Sequence, residues 1–221
     1  MKVLIPLVLI VTAASVSAQQ APGVGSVQPP LTQTRPDWKA DVEAGTPSAA
    51  RMGAVGASLR LTADSAAVVR RSGWTAQGRF QVRATIYRAP GSAATAAYGL
   101  TLGGSEAGDY VAFAVRADRA IAVQQHKAGA ITPLQEWIPC VYVAPASANG
   151  SALDVLEVRV ESTSATFLVN GHSVATIAIA TGALDGAPGL HLGAGGDITV
   201  SALSVAGDSV RGRPGLAPVS K

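Results

Sequence analysis

Residues 153–179, LDVLEVRVESTSATFLVNGHSVATIAI, constrain the fold more than any other stretch of the chain. Leu156, Val158 and Val160 alternate with Glu157, Arg159 and Glu161, the two-residue period of a strand with one buried and one wet face. Ser162 to Ser164 interrupts the period. A second strand places Phe167 and Val169 on one side and ends at Asn170-Gly171, a pair that accepts the positive φ of a tight hairpin turn. Residues 174–179 then run back. Three consecutive strands joined by tight turns predict antiparallel β structure.

The same pattern recurs along the chain. Between 78 and 88, Phe80, Val82, Ala84 and Ile86 alternate with Gln81, Arg83, Thr85 and Tyr87, the cleanest half-buried strand in the sequence. Further strands are expected at 58–62, 66–70, 96–102, 110–116 and 120–125, the last two as a hairpin. Others are expected around 137–143 and at 190–192, 198–200 and 203–205, with one short strand near 51–55. The slip in alternation between Val200 and Leu203 predicts a β-bulge. No stretch has the period of an amphipathic helix. About a dozen short strands separated by turn residues predict an all-β antiparallel sandwich or barrel.

The ends differ in composition. Lys2, an apolar run from Val3 to Val11, and Val16-Ser17-Ala18 form the pattern of a cleaved signal peptide over 1–18. A spanning helix would need about 20 apolar residues, and Thr12, Ser15 and Ser17 intervene too early. The expected location is therefore secreted or periplasmic, with no membrane span. Residues 19–56 read as a linker and N-terminal extension, 57–206 as the β-sandwich, and 207–221 as a flexible tail. Hydrophobic residues make up 48% of the chain and charged ones 14%, which excludes global disorder. The formal charge is +3, and the basic residues are dispersed, so nucleic-acid binding, which wants a dense basic stripe, is not expected. Cys140 is the only cysteine, so no intramolecular disulfide forms, and its apolar neighbours predict a buried structural thiol.

The order of Ala97-Tyr98-Gly99-Leu100-Thr101-Leu102-Gly103-Gly104, then 110–115, then 156–160, then Phe167-Leu168-Val169-Asn170-Gly171, then Gly189-Leu190-His191-Leu192-Gly193 resembles the concanavalin A-like lectin/glucanase superfamily. Within it the chain looks most like the laminin-G-type and 3-keto-disaccharide hydrolase (DUF1080-type) domains of secreted bacterial proteins. The resemblance covers about 57–205. It implies a jelly roll of two curved antiparallel sheets, with ligands on the concave face or at loops along its edge. The hydrolase branch has an arginine closing the strand held here by 97–102 and a glutamate after the tyrosine of the next strand. This sequence has Gly103 and Val111 in those places.

Glycoside cleavage generally uses two carboxyl groups about 5–5.5 Å or ~6.5–9.5 Å apart. Glu157 and Glu161 share a face but lie roughly 13 Å apart at ~3.3 Å per residue, and Arg159 between them fits a solvated, charge-alternating face. The catalytic candidates are Glu106, Asp109 and Glu136, the first two flanking the loop after Gly103-Gly104, where an ordinary polar hairpin loop is the competing reading. No cofactor is required. Ca²⁺ is the cation to consider, with Asp185 and Asp197 in glycine-rich loops as candidate ligands. His126, His172 and His191 lack metal-ligand spacing, and His172 is expected to be an exposed turn residue. Trp74, Tyr87 and Trp137 are the candidate aromatic platforms for a sugar, although Trp137 beside Ile138-Pro139 reads equally as core. Three functions follow: a non-catalytic module binding carbohydrate or an extracellular protein partner, a hydrolase of sugars or keto-sugars, and a structural domain of an envelope assembly.

Overall fold

The computed structural model describes residues 37–42, 50–104 and 109–212. The expected signal peptide, the linker up to residue 36, Glu106 and the tail beyond 212 lie outside the described residues. Among the described residues fourteen strands are present. They are β1 (Trp38–Val42), β2 (Ala50–Val55), β3 (Ser58–Ala63), β4 (Ala67–Arg71), β5 (Thr75–Arg88), β6 (Ala97–Leu102) and β7 (Asp109–Arg116). After these come β8 (Ala120–Lys127), β9 (Ala130–Pro139), β10 (Ala152–Val160), β11 (Ser164–Val169), β12 (His172–Ala178), β13 (Gly189–Leu192) and β14 (Gly196–Arg211). Two seven-stranded sheets result, ordered β1-β4-β13-β6-β7-β8-β9 and β12-β11-β10-β5-β14-β3-β2. All pairings within the sheets are antiparallel. Among the described residues no helix is long and apolar enough to cross a membrane.

The alternation explains the layers. Phe80, Val82, Ala84 and Ile86 of β5 and Leu156, Val158 and Val160 of β10 turn inward from the second sheet. Leu100 and Leu102 of β6, Phe113 and Val115 of β7, Ile121 and Val123 of β8, and Leu190 and Leu192 of β13 meet them from the first. Phe113 and Phe167 touch edge to face across the core, with ring centroids 5.8 Å apart. The expected bulge is present in β14 between Val200 and Ala202, and it returns Leu203 to the core after Val200. Asn170 (φ 51°) and Gly171 (φ 85°) make the expected β11–β12 turn. Cys140 is buried.

Several expectations shift. Trp38–Val42, read as extension, is an edge strand whose Trp38 enters the core at 5% exposure. The strand placed around 137–143 begins earlier and stops at Pro139, because Cys140 to Val143 closes a turn. The sandwich also runs past 206: Ser209, Val210 and Arg211 of β14 still pair with Gln77, Ala76 and Thr75 of β5. Polar composition at 207–211 suggested a tail, yet backbone pairing there needs no apolar side chains.

A buried polar network joins the sheets at one end. Asp154, fully buried, accepts bonds from the Tyr98 hydroxyl (2.6 Å), the Ala144 amide (2.8 Å) and the Asn170 side-chain amide (2.8 Å). Asn170 in turn donates to the Tyr142 carbonyl and accepts from the Val155 amide. Burial first, and then the Asp154 carboxylate, push the Tyr98 hydroxyl far above its usual pKa, so it stays a donor.

Candidate functional site

The outer face of the first sheet carries the chemistry. Residues alternating with its core positions, Val68 and Arg70, His191, Gly99 and Thr101, Tyr110, Ala112 and His126, face away from the core, and all are buried. Glycine makes their arrangement feasible. A side chain at Gly99 would strike the Phe113 carbonyl, and one at Gly189 would meet Thr101 Oγ1 at 2.7 Å and Arg70 Cγ at 2.8 Å. With Gly189 and Thr101 low beneath it, Arg70 of β4 crosses two strands and lies 5.5 Å above the Tyr110 ring on β7. Tyr110 stacks on His126 at 4.4 Å, its hydroxyl 3.0 Å from His126 Nδ1, and His126 lies 5.8 Å from His191. Burial lowers the pKa of His126; burial, and secondarily His126, brings His191 down to about 4. Both imidazoles are therefore neutral at pH 7.

Arg70 also belongs to a cleft at the β1–β4 edge of this face. The cavity, about 340 Å³, is lined by Lys39, Asp41, Arg70, Arg71, Trp74 and Thr75, and closed by Gly104, Gly186 and Ala187. β1 and β4 place these groups by register, Lys39 opposite Arg70 and Trp38 opposite Arg71. Arg71 bonds Asp37 at 2.8 Å and lies 5.1 Å from the Trp74 ring centroid. The Gly104–Gly186 bridge requires glycine at 186, where a Cβ would meet the Gly104 carbonyl at 2.8 Å. The cleft thus sets one indole beside several charged hydrogen-bonding groups, an arrangement suited to a polar ligand with an apolar face.

The candidates from sequence are redistributed. Trp74 is 5% exposed and packs in the core cluster, so it forms a wall of the cleft and not a free platform. Tyr87 is half-buried on the outer face of the other sheet, between Leu153 and Thr199. Trp137 lies on β9, half-buried with the Arg116 guanidinium 4.3 Å from its ring. The three aromatics therefore form no common platform.

Asp109 and Glu136 are both exposed, on β7 and β9. Asp109 pairs with Lys127, whereas Glu136 lies between the partners of Ile121 and Val123. About five residues of strand, ~16 Å, separate these levels, beyond either glycosidase spacing. Glu157, expected on a solvated face, is instead buried at 7% exposure, its carboxylate held by the exposed Arg159 at 2.5 Å.

Asp185 and Asp197 cannot share one cation. Asp185 accepts a bond from the Gly78 amide and Asp197 precedes the residue opposite Arg88, so they sit at two ends of β5, ~33 Å apart. Both oxygens of Asp197 are held by Arg60, at 3.0 and 2.5 Å. Among the described residues no three His, Cys, Asp or Glu side chains are grouped to hold a metal. His172 is exposed at its turn, as expected, and stacks on Tyr142 at 4.0 Å.

Sequence reasoning missed Lys39, Arg70, Tyr110 and the two buried histidines. The outward alternation of Arg70 and His191 in otherwise apolar strands was their only signal.

Comparison with solved structures settles the architecture. A carbohydrate-binding module, CBM66, from Bacillus subtilis superposes with a TM-score of 0.61 at 13% identity, over 77% of this chain and 96% of that one. The fold is concanavalin A-like. A glycoside hydrolase family 16 endo-glucanase from Bacteroides ovatus shares this concanavalin A-like sandwich, with a TM-score of 0.56 at 11% identity over 80% of this chain and 98% of that one. Neither a protein-family model nor a curated protein sequence matches the chain, so the laminin-G-type and 3-keto-disaccharide hydrolase resemblance reaches only as far as the shared fold. Binding modules and hydrolases use this fold alike, and activity has to be argued from side chains.

Proposed function

We propose that this protein is a secreted, non-catalytic carbohydrate-binding β-sandwich whose ligand enters the cleft between β1, β4 and the Gly104–Gly186 bridge. The observation that carries the reading is the cleft itself, where Trp74 supplies an apolar wall and Lys39, Asp41, Arg70 and Arg71 supply hydrogen-bonding groups. The wide separation of Asp109 and Glu136 supports binding without cleavage. The carbohydrate-binding name of the Bacillus subtilis neighbour is consistent with this.

A thermal-shift screen of the exported chain against an oligosaccharide panel tests the reading, since a ligand at 100 times its Kd stabilises the native state by about 2.7 kcal/mol. Thr75→Trp, which fills the exposed mouth of the cleft, abolishes the shift, and Tyr87→Ala on the opposite sheet leaves it intact. Retention of no glycan by the wild type would move the assignment to a protein partner. Released saccharide products would overturn the non-catalytic part.

A further inference from the structure

We propose that β12 is the seam of a symmetric dimer, pairing antiparallel with β12 of a second copy of this chain. The strands that end the two sheets are β1 and β9 in the first, β12 and β2 in the second. An end strand leaves one row of amides and carbonyls unpaired, and proteins blunt such edges with charge, proline or bulges. β1 carries Lys39 and Asp41, β2 carries Arg51, and β9 carries Pro133, Glu136, Pro139 and two breaks in register against β8. β12 has no proline, lysine, arginine or carboxylate over its seven residues. Its register with β11 shifts only near Phe167/Leu168, so residues 175–178 pair regularly. Among the described residues its backbone bonds only β11. Ile179 donates to the Thr163 carbonyl, and the antiparallel alternation then turns the amides of Ala175 and Ile177 toward β11 and those of Thr176 and Ala178 outward.

The surroundings of β12 are apolar as well. Five of the eight large apolar side chains that stand exposed among the described residues lie between 131 and 142: Ile131, Leu134 and Ile138 on β9, then Val141 and Tyr142 in the following turn. Such clustering marks an interaction surface, where scattered single residues would not. β9 lies against β12, and Tyr142 stacks on His172 at 4.0 Å, so the cluster and the edge form one side of the sandwich. The occupant follows from symmetry. The two-fold axis of an antiparallel pair stands perpendicular to the sheet and keeps each face on its own side. Joining β12 to β12 therefore also turns the two β9 strands and their apolar side chains toward each other. Both unblunted edges are covered at once and the assembly closes at two, whereas the charges and prolines of β1, β2 and β9 oppose a head-to-tail chain. β12 brings no lysine, arginine or carboxylate against its counterpart, so no charge opposes the pairing. Seven residues at ~3.3 Å make a side ~23 Å long, and two sheets ~10 Å apart with their side chains make it roughly 20 Å deep. Each copy thus offers roughly 500 Å², near the total of about 1,000 Å² that a specific interface needs. The cleft between β1 and β4 lies at the opposite end of the first sheet and stays open in both copies.

Sedimentation velocity on the exported chain, from micromolar to millimolar concentration, tests the pairing. The mass rises from one chain to two and stops there. Thr176→Lys, on the exposed outer face beside Thr166, sets like charges across the seam and raises the dimer dissociation constant roughly ten-fold or more. Its urea midpoint, measured on the dilute monomer, stays at the wild-type value, which separates lost pairing from lost folding. Thr176→Glu weakens the dimer in the same way, and an equimolar mixture of the two variants restores it. Val55→Lys, the same kind of change at an exposed position on β2, leaves association unchanged. A chain that stays monomeric at every concentration overturns the inference, and so does a series of species beyond the dimer. A dimer that Thr176→Lys leaves intact, or that Val55→Lys weakens equally, has its interface elsewhere and overturns it too. Two folded, monomeric variants that fail to associate when mixed overturn the antiparallel β12 seam.

Discussion

Replacing Asp154 with alanine tests the reasoning about what holds the two sheets together. Its carboxylate is fully buried and accepts from the Tyr98 hydroxyl, the Ala144 amide and the Asn170 amide, at 2.6 to 2.8 Å. Arg88, 4% exposed, faces the same Tyr98 hydroxyl. The truncation leaves the buried Tyr98 hydroxyl without its acceptor, a cost of about 1–3 kcal/mol, and takes one bond each from the half-buried Ala144 and Asn170 amides, about 0.5–1.5 kcal/mol apiece. These terms share one site and do not add, so the expected loss is about 2–4 kcal/mol, a sizeable part of the 5–15 kcal/mol typical of a domain. Urea unfolding followed by tryptophan fluorescence reads it as a fall in midpoint with unchanged slope. Asn170→Gly, which keeps the left-handed turn and removes only the side-chain bonds, is expected to lose less, about 1–3 kcal/mol. A loss below about 1 kcal/mol for Asp154→Ala would refute the network as a structural tie.

Other outcomes follow from the same geometry. His191 has a folded pKa depressed from 6.5 to about 4, so the unfolded chain binds more protons between those values. Its contribution, up to ~3 kcal/mol, is fully present above pH 6.5 and is lost as the pH falls toward 4; His191→Gln should flatten that part of the pH–stability curve relative to wild type. Gly99→Ala drives a methyl group into the Phe113 carbonyl on the neighbouring strand and should cost about 1–3 kcal/mol in chemical denaturation. Arg60→Ala removes both guanidinium bonds from the largely buried Asp197 carboxylate and should destabilise by about 2–4 kcal/mol, less than a fully buried pair because both side chains keep some solvent contact.

The chain alone determined the fold class, because the two-residue period is a local property. The β5 alternation, the Asn170-Gly171 turn and the bulge between Val200 and Leu203 could each be read from a few neighbouring residues. What it could not determine was which outward-facing residues would meet. Lys39 and Arg70 are 31 positions apart and adjoin only because β1 pairs with β4, while His126 and His191 approach across β6 and β7, whose outward Gly99 and Ala112 are small. Burial was equally hidden: Trp74, flanked by polar residues, enters the core through contacts made by distant strands. Local periodicity fixes which face of a strand is apolar, but the neighbours of that face are set by strand order, which depends on packing across the whole chain.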